Sequence, residues 1–128
     1  MAIPVTAALA AFCGLLLVAL ASRVSWLRFT LKIPFGDGGN PALMRAIRTH
    51  GNTTEHAPIF LLLALTWELS RGGGAFLAGV AVLFVASRLL FAAGVLGRGL
   101  HVLRVIGASG TYVAQLLLAA GLAATALA

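Results

Sequence analysis

The chain contains 128 residues, of which 61% are hydrophobic and only 9% are charged. Soluble domains carry roughly 25% charged residues, so this composition argues strongly against an ordinary soluble enzyme, a disordered chain and a nucleic-acid-binding domain. The net charge of +6 fits a membrane protein, in which basic residues set the topology and contact anionic lipids. The single cysteine, Cys13, forms no disulfide within the chain, and its apolar surroundings are typical of an unreactive thiol.

The first predicted membrane span covers residues 2–22, an uncharged stretch of about the 20 residues that a helix needs to cross a bilayer. A cleavable signal peptide is the rival interpretation, because Ala19-Leu20-Ala21 resembles a cleavage site. Signal peptides carry positive charge before their apolar core, whereas the first basic residue here, Arg23, follows it. We therefore expect this span to remain uncleaved.

The second predicted helix begins at a clear start signal, since Asn40 is a favourable N-cap and Pro41 suits the first helical position. Counting back about 20 residues from Leu69 predicts a membrane crossing over residues 50–69. The earlier turns of this helix should then extend out of the bilayer. Near its far end, we expect Glu68 to form a surface ion pair with Arg71.

The third and fourth spans are predicted over residues 75–96 and 105–128, separated by a break at the glycines around residue 98. The third span is interrupted by Arg88, whereas the fourth carries no charge. Together the four stretches form one domain over residues 1–128. We predict an all-α integral membrane protein, a four-transmembrane-helix bundle.

Basic residues are concentrated in the first and third connections and the helix ends beside them. These residues are Arg23, Arg28, Lys32, Arg45, Arg48, Arg98 and Arg104. Because cytoplasmic loops carry an excess of Lys and Arg, the first and third connections are predicted to be cytoplasmic. Both termini are then non-cytoplasmic.

One face of the second helix carries an unusual set of polar residues. Arg45, Arg48, Asn52 and Glu55 follow one another at intervals of three, four and three, which places them on one side of a helix, where His56 joins them. An ionisable residue at membrane depth costs about 2.5–3.5 kcal/mol and is by default a candidate for function. The alternative is that these residues only hold helices together through buried polar contacts.

Several arginines are expected around one opening at the cytoplasmic end. They are Arg28, Arg48, Arg88, Arg98 and Arg104. Arginine binds carboxylates through a bidentate fork, so an anionic ligand is predicted there. Arg88 could instead reach the membrane surface or pair with Glu55, for which Arg48 is the other candidate partner. The sequence contains no histidine pair with metal-ligand spacing and no phosphate-binding loop, so we expect no metal site.

Residues 48–58 have the sequence Arg-Thr-His-Gly-Asn-Thr-Thr-Glu-His-Ala-Pro. This segment resembles the second-helix signature Arg-Ala-x-x-Asn-x-x-Glu-x-x-Pro of the membrane-associated proteins in eicosanoid and glutathione metabolism (MAPEG). The resemblance extends over the whole chain, and the Gly-Asp-Gly-Gly-Asn-Pro approach to the second helix is similar to that of bacterial members. It implies a homotrimer in a bacterial inner membrane, with glutathione bound between subunits at the cytoplasmic side.

The resemblance also implies roles for individual residues. The glutathione-binding positions correspond to Arg28, Arg48, Asn52, Glu55, His56, Arg88 and Arg98. The arginine that stabilises the glutathione thiolate corresponds to Arg104, with Arg98 as the alternative. Two departures concern the third helix, where Phe91 and Val95 occupy positions that are tyrosines in catalytic eukaryotic members. A third is Thr49, which replaces the signature alanine.

Three functions compete at this point. The leading one is a membrane-bound glutathione transferase, with peroxidase as an additional activity, that conjugates glutathione to lipophilic electrophiles arriving from the bilayer. The second is a non-catalytic lipid-binding protein of the same family, which the missing tyrosine hydroxyls favour. The third is a small proton-coupled multidrug exporter. Such exporters carry a glutamate in the first helix, whereas the first span here is uncharged.

Overall fold

The computed structural model of the protein describes residues 2–97 and 100–127. Within these residues the chain forms four α-helices and no strand: α1 (Pro4–Leu31), α2 (Pro41–Arg71), α3 (Ala75–Leu96) and α4 (His101–Ala126). The all-α membrane fold predicted from the sequence is confirmed. The first and third connections lie at one end of the bundle, which we call the basic end.

Three of the helices, α1, α3 and α4, are long and apolar enough to cross a membrane. The second helix is more polar because its N-terminal half carries the charged signature residues. Its 31 residues would extend about 46 Å at 1.5 Å per residue, well beyond the bilayer core of about 30 Å. The polar N-terminal turns of α2 can therefore lie at the membrane surface while its apolar C-terminal half is within the bilayer.

The predicted start of α2 is confirmed in atomic detail. The Asn40 side-chain oxygen accepts hydrogen bonds from the backbone N–H groups of Ala42 (3.0 Å) and Leu43 (3.1 Å). Pro41, which has no N–H group to satisfy, occupies the first turn. These contacts satisfy two of the N–H groups that a helix start leaves without a partner.

Glu68 does not form the expected surface ion pair. Only 3% of the residue is exposed, and its two carboxylate oxygens accept hydrogen bonds from the backbone N–H groups of Val5 (3.0 Å) and Thr6 (2.7 Å). The carboxylate thus caps the start of α1, where free N–H groups and the helix dipole favour a negative charge. Arg71 instead places its guanidinium carbon 5.4 Å from the centroid of the Trp67 ring.

Close packing of α3 against α4 brings the elements of the basic end together. A Cβ atom on Gly107 would overlap the backbone of Phe91, and one on Gly94 would overlap the backbone of Arg104. Small residues of this kind let membrane helices approach closely. The contact fixes the start of α4 directly beside the last turns of α3, which carry Phe91 and Val95.

Candidate functional site

A cavity of 520 Å³ opens between α2, α3 and α4 at the basic end. Its polar lining consists of Arg45, Arg48, Asn52, Arg104, Ser109 and Tyr112. Its apolar lining consists of Met44, Phe91, Val95, Val105 and Ala108. No acidic side chain is among these lining residues, so the cavity favours an anionic ligand that also has an apolar part.

Three arginines surround the cavity from two helices. Arg45 and Arg48 project from the early turns of α2, and Arg104 projects from the first turn of α4. The Nη2 atom of Arg104 donates to Nδ1 of His101 over 3.1 Å. A neighbouring cavity of 380 Å³ shares Arg45, Arg104 and Val95 and adds His101. The positive lining therefore continues to the connection between α3 and α4.

Arg88 lies beneath the cavity and links three helices. The residue is 1% exposed. Its Nη1 donates to Asn52 Oδ1 (2.8 Å) and its Nε donates to Thr111 Oγ1 (3.0 Å), while Thr111 donates to the backbone carbonyl of Gly107 (2.8 Å). The guanidinium carbon also lies 4.8 Å from the centroid of the Phe91 ring, within the range of a cation–π interaction.

No carboxylate among the described residues pairs with Arg88. Across the described ranges its partners are Asn52 and Thr111, and Nη2 is buried without a hydrogen bond. The ion pair with Glu55 considered from the sequence does not form. A charge held in a medium of low dielectric constant acts strongly on its surroundings, so Arg88 adds to the attraction of the cavity for anions.

The signature residues Glu55 and His56 lie beside the cavity rather than in its lining. Glu55 is exposed on the surface of α2. The Nδ1 atom of His56 lies 3.0 Å from Gln115 Oε1, and Gln115 Nε2 donates to the His56 carbonyl (3.3 Å). Because the Gln115 oxygen must then be an acceptor, His56 carries its proton on Nδ1. His56 thereby joins α2 to α4.

Two further predicted site residues, Arg28 and Arg98, are not part of the cavity lining described above. Arg28 Nη1 donates to the backbone carbonyls of Ile33 (3.3 Å), Pro34 (3.2 Å) and Gly36 (2.8 Å). It thereby braces the connection between α1 and α2. Arg98 lies outside the described residues.

Sequence reasoning placed Arg48, Asn52 and Arg104 together, and the structure brings all three to the cavity. It did not assign Ser109 or Tyr112 to the site, although a signal was present. The cavity-lining positions of α4 are 104, 105, 108, 109 and 112, which is the spacing of a single helix face. Tyr112 places a phenol in the cavity that Phe91 and Val95 also line.

Comparison with known proteins identifies the family. The MAPEG family profile matches residues 6–124. Inner membrane protein YecN of Escherichia coli strain K12 is 34% identical over 86 residues, which cover 67% of this chain and 66% of that protein. The protein of the same name in Escherichia coli O6:H1, strain CFT073, matches with the same values.

The names of these relatives state a location and no activity. Together with the three helices able to span a membrane, they support an inner-membrane location for this chain. The match covers slightly less than two thirds of each relative's length, but the family profile covers nearly the whole chain. This protein therefore belongs to the MAPEG family.

Proposed function

We propose that the protein is a membrane-bound glutathione transferase that conjugates glutathione to lipophilic electrophiles. The observation that carries this proposal is the cavity at the basic end, which has three arginines and no acidic side chain in its lining. Membership of a family named for glutathione metabolism supports the same ligand. It also argues against the multidrug exporter.

The cavity fits the chemistry of glutathione, which carries two carboxylates and a thiol. Arg45, Arg48 and Arg104 offer forked donors that match carboxylates. The volume of 520 Å³ falls within the range of about 300–1,000 Å³ for small-molecule sites. The apolar lining from Phe91 and Val105 would contact an electrophile that enters from the bilayer.

The proposed reaction depends on forming the thiolate. A cysteine thiol has a pKa of about 8.5, and the thiolate is the nucleophile. A guanidinium at hydrogen-bond distance lowers the pKa of a thiol, and we assign this role to Arg104. With a chloronitroaryl substrate, the sulfur attacks the ring carbon that bears chlorine, the C–S bond forms, and chloride leaves. The thiol proton passes to solvent.

The same thiolate could attack the terminal peroxide oxygen of a lipid hydroperoxide. Cleavage of the O–O bond leaves a glutathione sulfenic acid and expels the lipid alkoxide, which takes a proton from solvent to give the alcohol. A second glutathione then forms the disulfide and releases water. By this route the same site would also act as a peroxidase.

Glu55 supports a homotrimeric assembly in this proposal. It is exposed on α2, and an ionised side chain that faces lipid is unfavourable, by about 2.5–3.5 kcal/mol at the bilayer centre and by less toward the surface. A neighbouring subunit that covers this face would remove the cost and would place Glu55 near its own cavity. The carboxylate could then bind the glutathione ammonium group, for which the cavity lining offers no acidic partner. By the positive-inside rule, we also propose that the cavity faces the cytoplasm.

The test is addition of glutathione to the purified, detergent-solubilised protein while the ultraviolet absorbance of the thiolate is recorded. We expect a signal at millimolar glutathione that is lost in Arg104→Ala. The matched control is Arg71→Ala, which removes an exposed arginine from the opposite end of the bundle and should leave the signal unchanged. An absence of glutathione binding to the wild type would overturn the proposal.

The second candidate is non-catalytic binding of an anionic lipid, favoured by the apolar side chains of Phe91 and Val95 in the cavity. It predicts that a fatty acid binds and that glutathione neither binds nor competes. Native mass spectrometry of the detergent-solubilised protein with both compounds distinguishes the two candidates.

A further inference from the structure

We propose that Arg88 is a positioning residue that acts on the ligand through Asn52. In this proposal Arg88 holds the Asn52 carboxamide so that its NH2 group points into the cavity and donates to a carboxylate of the ligand. The inference rests on the proposed binding of glutathione. It differs from the direct glutathione contact that the family resemblance implies for Arg88.

The orientation of the Asn52 amide follows from hydrogen-bond polarity. A guanidinium has donors only, and Arg88 Nη1 lies 2.8 Å from the side chain of Asn52 at its Oδ1 atom. The opposite orientation would place two donors against each other. The NH2 group of Asn52 is therefore left for another partner. Among the described residues, the buried nitrogen atoms that lack a partner do not include the Asn52 amide nitrogen. Asn52 also lines the cavity, so this NH2 group is available to a ligand there.

Arg88 is itself held in one orientation by contacts on α3 and α4. Thr111 gives its hydroxyl proton to the Gly107 carbonyl (2.8 Å), so its lone pairs are free to accept from Arg88 Nε (3.0 Å). The Phe91 ring lies 4.8 Å from the guanidinium carbon. The donor and acceptor roles are therefore fixed along the whole chain of hydrogen bonds. Thr111 donates to the backbone of α4, and Arg88 donates both to Thr111 and to the amide oxygen of Asn52 on α2.

This arrangement sets the kind of group that Asn52 binds. Arg88 is 1% exposed, so its charge acts on the cavity by polarising the Asn52 amide rather than by contact with a ligand. Hydrogen bonds in series strengthen one another in a site of low dielectric constant. A polarised NH2 donor close to Arg48 selects an oxygen acceptor that carries negative charge, and in glutathione that acceptor is one of the two carboxylates.

The decisive variant is Asn52→Asp, which keeps the shape of the side chain. One carboxylate oxygen would pair with Arg88, so the variant is expected to fold. The other oxygen would face the cavity and replace a donor with a negatively charged acceptor. We expect the Kd for glutathione to rise by at least about tenfold, because a hydrogen bond to a charged group is lost and two carboxylates are opposed.

The readout that separates positioning from a purely structural role is ligand preference. Isothermal titration of the full-length protein in detergent would compare glutathione with its two monoamides, in which one or the other carboxylate is a carboxamide. Wild type should prefer glutathione to both. Asn52→Asp should bind one of the monoamides more tightly than glutathione, because a carboxamide can donate to the new carboxylate.

A second variant tests the contact that holds Arg88. Thr111→Val removes the acceptor for Nε, and we expect the wild-type preference for glutathione over the same monoamide to fall. The control Thr125→Val removes a hydroxyl that bonds the Leu122 carbonyl at the far end of α4, and it should keep the wild-type preference. If Asn52→Asp fails to fold, the ligand preference of Thr111→Val alone tests the inference: a reduced preference supports it, and an unchanged preference overturns it.

Two results would overturn the inference. If wild type binds glutathione and both Asn52→Asp and Thr111→Val keep its preference, Arg88 does not act through Asn52, while the proposed function stands. If wild type binds no glutathione, the proposed function fails and this inference fails with it.

Discussion

The two ends of the bundle each hold a buried charged side chain, and the two charges are satisfied differently. Glu68 accepts two backbone hydrogen bonds at the start of α1. Arg88 is bonded to Asn52 and Thr111, keeps one buried nitrogen without a partner among the described residues, and lies below a cavity lined by three more arginines. A buried charge is costly unless hydrogen bonds or an opposite charge compensate it.

This difference separates a charge that the fold itself compensates from one that, as we propose, serves a ligand. Glu68 meets orphan N–H groups that a helix start always leaves, so its compensation comes from the fold itself. Arg88 is compensated only in part among the described residues, and it is bonded to Asn52, which lines the cavity. Both are charged residues within apolar stretches of the sequence, so the distinction rests on their partners and not on their position in the sequence.

The largest effect of a single substitution is expected at the basic end. Arg104→Ala should lower kcat for glutathione conjugation to a chloronitroaryl substrate by about 100-fold, since removing one group that stabilises developing or bound negative charge commonly has this effect. Steady-state kinetics measures the loss. Arg71→Ala is the control and should retain activity. An unchanged kcat in Arg104→Ala would remove this arginine from the mechanism.

At the opposite end, the expected effect is on stability. Glu68→Gln keeps the shape but turns an NH2 group toward a backbone donor, so we expect unfolding to become easier by about 1–3 kcal/mol. Thermal unfolding in detergent measures this as a lower Tm. Activity per folded molecule should be retained. A variant with wild-type Tm would show that the cap contributes little, and the contrast between the two charges would then fail.

The sequence predicts a contact reliably only where the two partners lie close together in the chain. The Asn40 cap bonds residues two and three positions away, so a local rule finds it. The cap by Glu68 joins residues 62 and 63 positions apart, and only the packing of α1 on α2 creates it. Likewise, spacing placed Arg48 and Asn52 on one face, but the Arg88–Asn52 hydrogen bond depends on how α3 packs against α2.

A smaller effect is expected for Glu55→Ala, which tests whether a neighbouring subunit supplies Glu55 to the ligand site at the basic end. Glu55→Ala should raise the Kd for glutathione by about tenfold, the loss expected for one charge-assisted hydrogen bond, with little change in kcat at saturation. Isothermal titration and steady-state kinetics measure the two quantities. The control is Thr54→Ala, an exposed neighbour that bonds the His50 carbonyl. If the Kd is unchanged in Glu55→Ala, this carboxylate does not contact the ligand in the assembled protein.

The smallest effect concerns Arg28, which braces the connection at the basic end without lining the cavity. Its three acceptors are the carbonyls of Ile33, Pro34 and Gly36, so Arg28→Ala should make residues 33–39 more susceptible to a protease. The Kd for glutathione should change by less than about threefold, a difference below 1 kcal/mol. Arg23→Ala, an exposed arginine on the same helix, is the control. A tenfold loss of affinity confined to Arg28→Ala would instead place this guanidinium against the ligand, because the loss of a brace alone would leave the arginines of the cavity where they are.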